Sequence, residues 1–335
     1  MATNTNVTTL SDIRTAFYDK ARDASSTGLS TKIDSLLNTA LHDMATNPII
    51  QPYWLERRAV LITRGAYTTG TVTITTASSR VAVTGTSTVW TTTDTFGIAN
   101  ARAGGKMKFA GTNEIYEVSA VGGAGSMTLA TQYTGDDITD ETYTYFEDEY
   151  ALASDFLGFK DIRMFSPEQN IRLVGAMEFR RGAGRNDVSG KPRAATLIHL
   201  AFSGSSTPRP RVVLYPYPDN EYSIPYTYIT SNLAVSSAGA EQAAMTADAD
   251  EPIMPLRFRY GIILCALKEW YRDRKDDSQR SQEAKAEYVD FMTRMAGMTQ
   301  VGQDKPRFVA PKRNYGGRRG RRRFQTGTEW DELLV

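Results

Sequence analysis

Over the first fifty positions, apolar residues recur at helical spacing. Leu10, Ile13, Phe17 and Ala21 share one helical face, with Ser11 and Asp12 suited to its N-terminus. After a Ser25–Gly28 break, Ile33, Leu36, Leu37, Ala40, Leu41 and Met44 repeat the pattern behind Ser30 as a cap, and Asn47-Pro48 ends it. Two amphipathic helices joined by a short turn predict antiparallel packing. Near residue 60 the period changes. Fourteen of the 33 residues from Thr63 to Thr95 are threonine, and β-branched or aromatic residues alternate with polar ones. Strands are predicted at Thr71–Thr76, Arg80–Thr84, Lys106–Ala110, Glu114–Val121, Met127–Ala130 and Glu141–Phe146, with turns such as Gly104-Gly105 and Gly122-Gly123 between them. Short strands with frequent turns indicate a small antiparallel sandwich or barrel inserted into a helical host.

The next stretch is mixed. Ser166-Pro167-Glu168 predicts the start of a short helix, and Ala195–Phe202, Arg211–Tyr215 and Tyr222–Ile229 read as strands separated by proline-rich turns. A polar loop from Ser231 to Glu251 precedes Pro252-Ile253-Met254-Pro255. Leu256, Tyr260, Ile263, Leu267 and Trp270 then form a helical stripe; Tyr288, Phe291, Met292 and Met295 resume it after a charged break at Asp273–Asp277. Tyr215, Tyr217, Tyr222, Tyr226 and Tyr228 fall within 14 residues, more amphipathic aromatics than one small sheet face needs. Core packing and a subunit interface both account for them at this stage. The fold class expected is α+β: an antiparallel helical bundle, an inserted all-β sandwich or barrel, and an extended C-terminal arm. The divisions are 1–59, 60–150, 151–300 and 301–335.

Charge adds the arm. From Lys305 to Arg323 there are nine Lys or Arg and no acid, so a chain of net charge +1 carries about −8 elsewhere. Pro306, Pro311, Gly316, Gly317 and Gly320 punctuate this run, and it ends in an amphipathic tip around Trp330, Leu333 and Leu334. Such a composition cannot offset its ordering entropy by burial within the chain, so a segment extended or disordered until a partner holds it is expected. Three readings stand. Lys312, Arg313, Arg318, Arg319, Arg321, Arg322 and Arg323 pair with acidic grooves of a protein while Phe324, Trp330, Leu333 and Leu334 anchor in pockets. Alternatively the arginines neutralise nucleic-acid phosphates, with Tyr315 and Phe324 stacking. The third is a solubilising tail. Acidic Glu329, Asp331 and Glu332 beside the apolar tip favour the protein partner.

Little else carries chemistry. His42 and His199 have no partner at ligand spacing, and the lone Cys265 cannot complete a metal site or a disulfide within the chain. Gly182-Ala-Gly184 lacks the third glycine of a dinucleotide fingerprint. Asp136, Asp137, Asp140 and Glu141 read as a solvated loop rather than a calcium site. No catalytic residue, cofactor or metal is expected. No apolar run approaches the roughly 20 residues of a membrane span. The first residues lack the marks of a signal peptide, so synthesis in a cytoplasm is expected.

The order of these parts resembles a known family. Leading helices are interrupted by Tyr67-Thr-Thr-Gly70-Thr-Val-Thr-Ile and Val83-Thr-Gly-Thr-Ser-Thr-Val-Trp90. There follow Arg211-Val-Val-Leu-Tyr-Pro-Tyr-Pro-Asp219, Tyr222-Ser-Ile-Pro-Tyr-Thr-Tyr228, and Asp250-Glu-Pro-Ile-Met-Pro255 ahead of a long helix. Over residues 8–298 this is similar to the head-to-tail adaptor (connector) proteins of tailed bacteriophages. The resemblance implies a structural protein of the virion neck, assembled in the host cytoplasm as a homo-oligomeric ring, a dodecamer, below the portal protein. It implies a channel through which packaged DNA passes without sequence-specific binding, and a platform for a tail nozzle or tail tube protein. It also implies C-terminal arms reaching the portal. Another tail or neck structural role, at the tube or facing a receptor, is the neighbouring alternative.

Overall fold

A computed structural model of the chain describes residues 7–21, 30–47, 50, 52–75, 79–164, 169–183, 188–198, 210–273 and 278–299. Chain order begins with α1 (Leu10–Ala21), α2 (Ser30–Thr46) and β1 (Glu56–Ile62). Then come β2 (Thr71–Ile74), β3 (Ala82–Thr86), β4 (Lys106–Phe109), β5 (Tyr116–Gly123), β6 (Ser126–Leu129), β7 (Ile138–Glu141) and β8 (Tyr143–Phe146). Next are β9 (Glu149–Ala151), β10 (Phe156–Met164), β11 (Gln169–Asn170), β12 (Arg172–Leu173), α3 (Ala176–Ala183), β13 (Ala194–Ile198), β14 (Arg211–Tyr215) and β15 (Ser223–Thr230). The last are β16 (Ala234–Val235), β17 (Glu241–Gln242), β18 (Glu251–Pro252), α4 (Tyr260–Asp273) and α5 (Ser278–Thr299). The class is α+β.

Helical spacing does what the pattern predicts in α1 and α2. Leu10, Ile13 and Phe17 of α1 and Ile33, Leu37, Leu41 and Met44 of α2 are buried in one core. The start of α1 is set by Thr9, whose hydroxyl accepts from the Asp12 N–H at 3.3 Å while the Asp12 carboxylate accepts from the Thr9 N–H at 3.1 Å. This reciprocal pair satisfies two otherwise orphaned donors. Helix α4 is buried from Gly261 through Leu267, as a helix enclosed by others should be. Its stripe begins later than the pattern predicts. Pro255 opens a 3-10 turn over Leu256–Phe258, so Leu256 stays exposed and Phe258 enters the core, 5.7 Å from the Trp54 ring. Helices α1, α2, α4 and α5 contribute to this single core.

Strands β2 to β8 form a seven-stranded antiparallel sheet in the order β7-β2-β3-β6-β5-β4-β8. Tyr67, just before β2, exchanges backbone hydrogen bonds with Tyr145 of β8 at 2.8 and 2.9 Å, so the sheet curls into a half-barrel. The interior is a separate core around Trp90, whose Nε1 donates to the Tyr143 hydroxyl at 2.8 Å; that hydroxyl donates to the Thr69 carbonyl at 2.8 Å. The strand expected over Glu141–Phe146 is two strands. It divides at Thr142: Glu141 ends β7, which pairs with β2, and Tyr143–Phe146 form β8, which pairs with β4.

The mixed region holds two four-stranded sheets, β1-β15-β10-β11 and β12-β13-β14-β9. Leu61, Phe156, Ile224, Tyr226 and Tyr228 from the first share a third core with Tyr150, Leu152, Ala195, Val212 and Leu214 from the second. Only the buried Ile171 separates β11 from β12, so the chain crosses between the sheets there. Among the described residues the opposite edges, β1 and β9, each pair on one side only. The short helix expected to open at Ser166-Pro167-Glu168 falls on residues outside the described ones; Gln169, the next described residue, begins β11, and a short helix, α3, follows later. The expected polar loop contains β16 and β17 and sends Leu233, Ala234 and Met245 into the helical core. Asn38 of α2 holds Met245 there, accepting from its N–H and donating to its carbonyl at 2.9 Å each.

Candidate assembly surfaces

The docking residues expected in the arm, from Lys312 to Leu334, lie outside the described residues. The tyrosine cluster is described, and strand alternation divides it. Tyr226 and Tyr228 point from β15 into the third core, beside Phe156 and Phe159. Their hydroxyls remain satisfied: Tyr226 accepts from the Ala153 N–H at 3.1 Å, and Tyr228 donates to Asp155 at 2.9 Å. Tyr217 is buried with its ring stacked on Phe146, centroids 4.2 Å apart. Core packing therefore accounts for these three. Tyr215 and Tyr222 are half-buried. Tyr222 donates to Asp219 at 2.7 Å, a bond that pushes its pKa up to about 12.

Sequence reasoning missed a charged junction beside that core. Glu147-Asp148-Glu149 joins β8 to β9, and Glu147 and Asp148 are buried. Arg102 holds Glu147 with two hydrogen bonds, one of them 3.1 Å; Lys106 reaches Asp148 at 2.7 Å and Glu149 at 3.4 Å; Arg211 reaches Glu149 at 2.9 Å. Three acids thus meet three bases, and buried charges of this kind need such partners. Burial disfavours the Lys106 charge, but Asp148 and then Glu149 outweigh it and raise the pKa. Burial also drives the Tyr145 hydroxyl, which donates to Glu147 at 2.7 Å, far above the usual range. A signal was present: an acidic triplet directly after the alternating Tyr143–Phe146 strand, where a solvated turn would not bring distant bases.

This junction lines a cleft of about 440 Å³. Its walls include Val60, Leu61 and Ile62 of β1, Gly104 and Gly105, and Glu149, Tyr150 and Ala151 of β9. Arg64, just past β1, bonds the carbonyl of Ile98, another wall residue, together with Asp94 and Asn100. Besides Val60 in the cleft wall, other exposed apolar side chains lie away from it. Tyr53 and Leu256 flank Arg257, which donates to the Tyr53 hydroxyl at 3.0 Å, and Leu173 and Met177 crown β12 and α3.

His42 is exposed on α2, and His199 lies outside the described residues. Burial pushes the Cys265 thiol up, away from the reactive thiolate. Among the described residues no group of His, Cys, Asp and Glu gathers as metal ligands would, and no helix is long and apolar enough to cross a membrane. No curated protein matches the chain. The protein family described as SU10 adaptor protein does, over residues 128–314, more than half of the sequence. The chain belongs to that family of phage adaptors, and the match runs from β6 into the basic segment as far as Asn314.

Proposed function

We propose that this chain is a head-to-tail adaptor of a tailed bacteriophage. Copies assemble in the virion neck as a ring, a dodecamer by the family resemblance, beneath the portal. The ring extends the DNA channel and gives the tail nozzle or tube its platform, while the C-terminal segment docks on the portal. Membership of the SU10 adaptor family is the observation that carries this reading. The four stretches then divide the work: residues 1–59 and the helices of 151–300 form the antiparallel bundle, 60–150 the inserted β domain, and 301–335 the docking arm. Arg318, Arg319 and Arg321–Arg323 pair with acidic grooves, and Trp330, Leu333 and Leu334 fill apolar pockets. A preformed portal ring holds neighbouring subunits at high effective concentration, so rings form on portals and not in free solution. Half-buried Tyr215 and Tyr222 are the tyrosines left for a subunit interface.

Deleting residues 305–335 tests the reading. The truncated chain is expected to fold, with an unchanged circular dichroism spectrum, and to fail to join tail-less, DNA-filled heads. Normal incorporation of the truncation refutes portal docking by the arm.

A further inference from the structure

The two sheets of the mixed region make an incomplete barrel. They are joined through β11 and β12 on one side and, among the described residues, open between β1 and β9 on the other. The direction of the backbone groups at the open side follows from the hydrogen bonds. The Thr63 N–H donates to the Tyr222 carbonyl at 3.0 Å, and the register runs Ile62↔Ser223, so odd-numbered residues of β1 bond β15. Arg58, Val60 and Ile62 therefore turn their N–H and C=O groups outward. On β9, Leu214 N–H donates to Asp148 C=O at 2.8 Å and Leu152 N–H to Pro210 C=O at 3.0 Å. Even-numbered residues face β14, so Glu149 and Ala151 turn outward. Val60 and Ile62 of the first row and Glu149 and Ala151 of the second line the same cleft.

We infer that this cleft is a strand-acceptor slot, filled in the assembled neck by an extended, uncharged segment of another neck polypeptide. Two edges that face one groove and are unpaired among the described residues are the arrangement for strand addition, in which main-chain hydrogen bonds supply affinity. The charge balance selects the occupant. Arg102, Lys106 and Arg211 are already matched by Glu147, Asp148 and Glu149, so a charged segment finds no counter-ion and loses its hydration. That argues against the basic arm as occupant. Alternate side chains of the added strand meet Leu61 and Tyr150, which rewards apolar residues at every second position. The inference rests on the adaptor reading and names one contact by which the adaptor is held.

Residue-resolved hydrogen exchange on the full chain, free and in purified necks, tests it. The Val60, Ile62, Glu149 and Ala151 amides are expected to exchange fast in the free protein and at least tenfold slower after assembly. Leu61 and Tyr150 amides stay slow in both. Slow exchange of the first four already in the free chain means the protein covers its own edges, and overturns the proposal. Unchanged exchange in necks that contain the protein also overturns it and leaves the adaptor reading intact. Absence of the wild-type chain from necks sinks the adaptor reading, and this occupant with it. As a second arm, Val60→Pro with Ala151→Pro removes two outward N–H groups from exposed side-chain positions and spares the internal ladders. This variant is expected to fold and to be incorporated at least tenfold less; wild-type incorporation overturns the proposal.

Discussion

At the residue scale, the junction between the half-barrel and the mixed region depends on a glycine. Tyr145 is 1% exposed; its hydroxyl accepts from the Arg102 N–H at 2.8 Å and donates to Glu147. A Cβ built on Gly105 would lie 2.0 Å from that hydroxyl and 2.3 Å from the ring carbon bearing it. The ring is enclosed and cannot swing aside, so Gly105→Ala must move Tyr145 or the strand. Overpacking of this kind costs about 1–3 kcal/mol. Expected is a lowered urea midpoint with the slope unchanged. Gly158→Ala, where an added Cβ meets nothing within 4 Å, serves as the control and should stay within about 0.5 kcal/mol of wild type. Equal stability of the two variants would show that the Tyr145 contact is not a constraint.

At the element scale, Asp250 ties a loop to a helix. Its carboxylate accepts from the N–H groups of Ala247 at 2.8 Å and Thr246 at 2.7 Å and from Gln242 at 2.6 Å; its carbonyl accepts the Leu10 N–H at the head of α1. Those hydrogen bonds, Ala247 first, lower its pKa. A depressed carboxylate stabilises the fold fully above the ordinary aspartate value near 3.9, and that contribution disappears as pH falls through the lower folded value. Acid should therefore loosen residues 241–252 and the start of α1, and Asp250→Asn should melt lower at pH 7 with a flatter fall between about pH 5 and 2. An identical pH profile in the variant would remove Asp250 from the account. Elements differ in how far the chain announces them. Helices α1, α2 and α4 are legible because their apolar stripes are long and their stops carry glycine, proline or charge. Strand β10 is not: bulges between Phe156 and Gly158 and between Phe159 and Asp161 break the alternation that would reveal it. The start of β1 is hidden by Glu56-Arg57-Arg58, whose charges bond to Glu241 and Lys160 across elements that no local pattern connects. The cleft is not legible for the same reason, since it exists only where β1 and β9, far apart in sequence, line one groove.

At the scale of the whole molecule, charge and apolar character are unevenly placed, and the two readings of the basic segment separate on salt. Nine cations acting on duplex phosphates would give an affinity that falls steeply with salt: contacts to six to ten phosphates lose roughly 10³–10⁵ between 50 and 200 mM. A protein partner gripping Trp330, Leu333 and Leu334 has an apolar part that salt does not screen. Any affinity of the free chain for duplex DNA should therefore vanish by about 200 mM salt, while attachment to portal-bearing heads persists there. Trp330→Ala with Leu334→Ala should weaken that attachment at least tenfold at both salt concentrations, about 1.4 kcal/mol or more. Replacing Arg318, Arg319 and Arg321–Arg323 by Gln should weaken it chiefly at low salt. If the tryptophan-leucine variant attaches as well as wild type while the arginine variant loses all DNA affinity and all attachment together, the segment acts through nucleic acid, and the apolar tip is not what holds the adaptor to the head.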